Sequence, residues 1–125
     1  MKQVALISCF LLLTISSACK IQVKFRSKTP HPFQLQLFVP AIKMKTERIT
    51  FASEGQLRTV TVQGKECNQK HWVFKTWKEM NNEWIPAKEI KAKVEGNGWL
   101  DVEIASDYLP RMHDRFGILC SEGSC

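Results

Sequence analysis

Lys20-Ile21-Gln22-Val23-Lys24-Phe25-Arg26 alternates apolar with polar residues over its whole length. A period of two puts Ile21, Val23 and Phe25 on one face of a β-strand and the cations on the other. Thr29-Pro30-His31-Pro32 breaks the run, because neither proline can donate to a sheet ladder. The same alternation then returns. Phe33, Leu35, Leu37 and Val39 interleave with Gln34 and Gln36 until Pro40. Ile49 and Phe51 predict a short strand, Glu54-Gly55 a turn, and Leu57 to Val62 a β-branched strand.

Beyond a polar loop holding Cys67, His71 to Met80 carries Trp72, Phe74 and Thr76 on one face and Val73, Lys75 and Trp77 on the other. Asn81-Asn82 marks a turn before Trp84-Ile85. Ile90, Ala92 and Val94, followed by Gly96-Asn97-Gly98 and then Leu100, Val102 and Ile104, predict a hairpin. Ser106 to Leu109 suits a single turn limited by Pro110. Seven or eight short strands with hardly any helical pattern predict an all-β domain, an antiparallel β-sandwich over residues 19–125.

The first 18 residues have another character. Lys2, an apolar run from Val4 to Leu13 and small residues at Ser16 and Ala18 read as a cleaved secretory signal. The run is shorter than the roughly 20 residues that cross a bilayer. Cys19 directly follows this exit, as a lipid-acceptor cysteine would. Ser16, however, stands where a bacterial lipoprotein signal has a large aliphatic residue. Cleavage after Ala18 leaves 107 residues and removes Cys9, so four cysteines remain: Cys19, Cys67, Cys120 and Cys125. An even count in a secreted domain implies two disulfides, with three possible pairings. Cysteines at both ends favour a Cys19–Cys125 clasp around Cys67–Cys120. The alternative joins Cys19 to Cys67 and closes a small Cys120–Cys125 loop. Neither a transmembrane segment in the mature chain nor a zinc site is expected, since paired cysteines at metal-ligand spacing are missing.

The chain carries a net charge of +6, falling to +5 once Lys2 is removed. That favours partners with negative surfaces: an extracellular protein, an anionic glycan or a lipid headgroup. The candidate basic patch comprises Lys20, Lys24, Arg26 and Lys28 on the first strand, Lys43, Lys45 and Arg48 after Pro40, and Lys88, Lys91 and Lys93 later. Edge lysines also serve to block sheet aggregation. Among the tryptophans, Trp72 belongs in the core, whereas Trp77, Trp84 and Trp99 are candidate aromatic contacts. Nucleic acid is not expected as a partner, because basic and aromatic residues interleave only around Trp77. In Asp114-Arg115-Phe116-Gly117, a turn with Phe116 buried is the favoured reading.

Support for catalysis is thin. His31, His71 and His113 are far apart, and no nucleophile-elbow, zinc-helix or phosphate-loop motif occurs. Asp101, Asp107 and Asp114 are too scattered for a calcium loop, so no cofactor is expected. Several short features taken together resemble small secreted four-cysteine β-sandwich domains of nematodes. They are the signal ending at Cys19, Ile21-x-Val23, Thr29-Pro30-x-Pro32-Phe33, Cys67 before Trp72-x-Phe74, and Arg115-Phe116-Gly117-x-x-Cys120. The resemblance implies secretion and a sandwich, and it assigns no functional residue. The expected function is that of a secreted, disulfide-stabilised binding module that is not an enzyme. The alternatives are a carrier of a small apolar ligand between the sheets and a small secreted hydrolase.

Overall fold

The structure, a computed structural model, describes residues 18–125. Apart from Ala18, the predicted signal lies outside the described residues. The elements are β1 (Ala18–Ser27), β2 (Phe33–Val39), a 3-10 turn at Pro40–Ile42, β3 (Met44–Lys45), β4 (Ile49–Phe51), β5 (Leu57–Lys65), β6 (Trp72–Met80), β7 (Glu83–Ile104) and β8 (Pro110–Ser121). The chain is mostly β, as the alternation predicts.

The arrangement is not the pair of antiparallel layers that was expected. One eight-stranded sheet runs β3-β2-β6-β7-β1-β5, with β4 also on β2 and β8 also on β7. It is mixed, because β1 and β7 run parallel, with Ile21 opposite Gly98 and Phe25 opposite Val102. The sheet curls into a half-barrel, and β7 is the element that joins its two halves. The first part of β7 pairs with β6, and its last part lies between β1 and β8. Hairpin turns impose antiparallel pairing on neighbouring strands, but nothing local sets the sense of two strands separated by most of the chain.

Alternation fills the curl. Ile21, Val23 and Phe25 from β1, Phe33, Leu35 and Leu37 from β2, Trp72 and Phe74 from β6, and Leu100, Val102 and Ile104 from β7 are all fully buried. Their polar neighbours in sequence face outward. The Phe25 ring meets the edge of Phe74 with centroids 6.1 Å apart, locking one half against the other. Trp72 donates its indole N–H to the Cys67 carbonyl at 2.9 Å. Asn81 and Asn82 both take positive φ, 54° and 65°, and turn β6 into β7 as a two-residue hairpin. Tyr108 N–H donates to Ala105 O at 2.9 Å, which makes the single turn expected before Pro110.

The hairpin expected at Gly96-Asn97-Gly98 does not form. β7 runs straight through these residues, and the glycines serve β8 instead. A Cβ on Gly98 would come within 1.9 Å of the Phe116 carbonyl oxygen, and one on Gly96 within 2.3 Å of the Gly117 oxygen. The pairing register slips between Gly96 and Trp99, so β7 and β8 approach each other across an irregularity that only glycine admits. Gly98→Ala is therefore expected to destabilise the domain by about 1–3 kcal/mol through a forced backbone shift. Urea unfolding checks this. A neutral result would contradict the close approach of β8, since Gly98 does not have the positive φ that would by itself make alanine costly.

The clasp between the two chain ends is also overturned. Cys19 pairs with Cys67 and Cys120 pairs with Cys125. β1 lies along β5, with Cys19 opposite Gly64, so the chain leaving β5 delivers Cys67 to Cys19. The other end folds back against β7, where Ser124 N–H donates to Lys91 O at 2.9 Å and carries Cys125 to Cys120. Two disulfides of this kind belong to an oxidising compartment. Among the described residues no helix is long and apolar enough to cross a membrane.

Candidate functional site

Because the interior face is shared, the outward residues of the two halves of the sheet point in different directions. The ten cations singled out in the sequence are divided between them. Lys20, Lys24 and Arg26 line the outer row of β1, with Lys28 just beyond its end. Lys45 is on β3, opposite Phe38, and Lys43 closes the turn before it. Arg48 lies in the segment before β4, and Lys88, Lys91 and Lys93 are on β7.

Several of these cations are already engaged. Lys91 Nζ lies 3.7 Å from Glu89, which Lys75 also approaches at 3.7 Å, and Lys93 lies 3.2 Å from Glu122. The Arg48 guanidinium sits 3.9 Å above the Trp77 ring. That stacking explains how Trp77, on the outer face, is left only 7 % exposed. Trp77 is therefore a packed residue and not an open contact. Trp84 is half-buried near the start of β7, and Trp99 lies near its other end, so the two do not pair.

Trp99 is the second candidate aromatic that the fold brings to one of the cations. It stands beside Gln22 in register, and Lys24 Nζ lies 5.0 Å from its ring centroid. On its other side it stacks on Phe116, with centroids 6.5 Å apart. Phe116 is not the buried turn residue expected. It sits in β8 and is 69 % exposed, as is Leu119. The alternation that revealed the other strands breaks down here, because the irregularity opposite Gly96 and Gly98 resets which side chains face out.

The charge around this stack is uneven. Toward β7, Lys24 lies in register with Asp101 and Arg26 with Glu103. Toward β5, Lys20, Gln22 and Lys24 stand beside Gln63, Thr61 and Thr59, and β5 contains no acidic residue at all. Its own charges are Arg58 and Lys65. The positive field of β1 is thus offset on one flank and open on the other.

The remaining titratable groups lie in separate places. His113 Nδ1 is 3.7 Å from Glu103, whereas the neighbouring Asp114 carboxylate accepts the backbone N–H of Arg115 at 2.8 Å. His31 and His71 lie near other turns. Asp107 accepts both arms of the Arg111 guanidinium at 3.1 and 2.6 Å. That hydrogen-bonded guanidinium holds its carboxyl below the usual aspartate range. Among the described residues no three His, Cys, Asp or Glu side chains converge as a metal site would need. One open depression of about 270 Å³ lies on the outside of the sheet, between Trp77, Pro86 and Lys88.

No family model matches the chain, and no curated protein does. Among solved structures, the type VI secretion lipoprotein TssJ1 from Pseudomonas aeruginosa is similar over 85 % of this chain and 98 % of its own, at 10 % identity and a TM-score of 0.45. The human-specific toxin intermedilysin is similar over 76 % of this chain and 23 % of its own, at 9 % identity and a TM-score of 0.33.

Proposed function

We propose that the protein is a secreted, disulfide-stabilised binding module. Its partner is an extracellular protein or an anionic surface, engaged through the outer face formed by β1 and its neighbours. The observation that carries this reading is the meeting of Lys20, Lys24 and Arg26 with the stack of half-buried Trp99 on exposed Phe116 on one face. Cations beside a partly exposed aromatic pair combine long-range attraction with short-range apolar contact. The interior favours binding at the surface over carriage between layers. Trp72 stacks on Phe74, Phe74 meets Phe25, and Phe33 stacks on Phe51 with centroids 4.8 Å apart. These side chains fill the space an apolar ligand would take.

Heparin chromatography tests the reading. The protein is expected to be retained at low salt and released as salt rises, because exposed charges are screened within about 10 Å at 0.1 M. The Lys20→Glu, Lys24→Glu, Arg26→Glu variant is expected to elute at clearly lower salt, and Lys91→Glu close to the unaltered protein. Passage of the unaltered protein at low salt would overturn an anionic partner. Equal shifts from both variants would overturn the choice of face.

A further inference from the structure

We infer that the free edge of β5 takes up an extended, acidic strand from a partner protein. The inference rests on the binding reading above and deepens it. β5 has β1 as its strand neighbour and ends the sheet. Ser27 N–H donates to Gln56 O at 2.9 Å, which sets the phase of the β1–β5 ladder. By the alternation of an antiparallel pair, the backbone N–H and C=O groups of Thr59, Thr61 and Gln63 then point away from β1. Among the described residues none of these groups has a hydrogen-bond partner.

Unpaired strand edges are templates for other chains, and folded proteins usually defend them. The other edges here carry such defences. β3 and β4 have only two and three residues. The open edge of β7 contains Pro86, at a bulge opposite Thr76 and Trp77. β8 has two register slips, a proline at its start, and Arg111, His113, Asp114 and Arg115 along its length. Of these devices β5 has only two charges, Arg58 and Lys65, one near each end. It pairs without a slip over nine residues and contains no proline and no acid.

Charge selects the occupant. The short side chains of Thr59 and Thr61 leave the cationic row of β1 unscreened on this flank, and Arg58 and Lys65 add to it. A second copy of the chain would bring the same cations against one another. A strand with alternating carboxylates would satisfy them, and the apolar residues between would cover Val60 and Ile42, which are only partly buried against the core. Backbone hydrogen bonds supply affinity in this mode, and alternate side chains supply selectivity.

The test uses the protein with both disulfides formed and a labelled synthetic peptide, matched to β5 in length, that alternates glutamate with valine or threonine. Binding by fluorescence anisotropy is expected, with slowed amide exchange at Thr59, Thr61 and Gln63. N-methylation of alternate peptide nitrogens removes the edge hydrogen bonds and is expected to weaken binding about tenfold or more. Replacing the glutamates by lysines is expected to do the same. These controls leave the protein unaltered, so a loss cannot come from misfolding. Equal binding by the methylated peptide, protection on β8 and not β5, or self-association of the protein through β5 would each overturn the inference. So would a failure to bind the peptide while heparin retention persists, which would leave the binding reading standing.

Discussion

Trp72→Ala is expected to destabilise the domain by about 3–5 kcal/mol, the range for truncating a large buried aromatic. Domains of this size are held together by about 5–15 kcal/mol in all, so much of the stability is at stake. Two contributions combine. The indole is fully buried between Phe74 and the segment bearing Cys67, and its removal leaves a void that neighbouring strands in fixed ladders cannot collapse to fill. Its N–H also partners the Cys67 carbonyl, which the truncation leaves unsatisfied. Trp72→Phe separates the two, since it keeps most of the ring and removes the donor. It is expected to cost about 1–3 kcal/mol. Urea denaturation followed by far-ultraviolet circular dichroism measures both. A loss below about 2 kcal/mol for the alanine variant would contradict the packing described, because such values belong to smaller truncations.

Removing the Cys19–Cys67 bridge with paired serines is expected to cost about 4 kcal/mol, against about 2 kcal/mol for removing Cys120–Cys125. The difference comes from the unfolded chain. The first bridge closes a loop across 48 residues and the second across five, and the longer loop restricts the denatured ensemble more. The comparison also tests the pairing. With a Cys19–Cys125 clasp around Cys67–Cys120, either pair of substitutions would break both bridges, and the two variants would be equally impaired. Peptide mapping without reduction provides a second reading.

Much of the strand content was legible because burial on one face of a sheet writes a period of two into the residues. β1 and β2 carry that period without interruption and β6 carries it as far as Thr76, where the bulge buries Trp77 as well, and the inward residues of these runs are those the alternation singles out. Asn81-Asn82 was legible for a local reason as well, since two successive positive φ angles suit asparagine. The candidate site was less so. Lys24 and Trp99 are 75 positions apart in sequence, and only the parallel pairing of β1 with β7 brings them together. Arg48 over Trp77 is another long-range contact without a local signature. Phe116 departs from the sequence pattern because a hydrophobic side chain beside a glycine suggests a buried turn, whereas the register slip in β8 turns it outward.

Gly96-Asn97-Gly98 shows most plainly what each level decides. By itself the sequence determines that these residues interrupt two apolar runs and that the backbone there is free to do something unusual. A tight turn and a close approach of two backbones both call for glycine, and no property of the segment alone separates them. The choice falls to β8, whose carbonyls at Phe116 and Gly117 occupy the space where side chains would stand. The same division holds for the whole chain. Alternation determined strands and their inward faces. Which strands became neighbours, in which sense, and which cysteines met was decided only when those faces closed around one core, because burial can be shared among strands however far apart they lie in sequence.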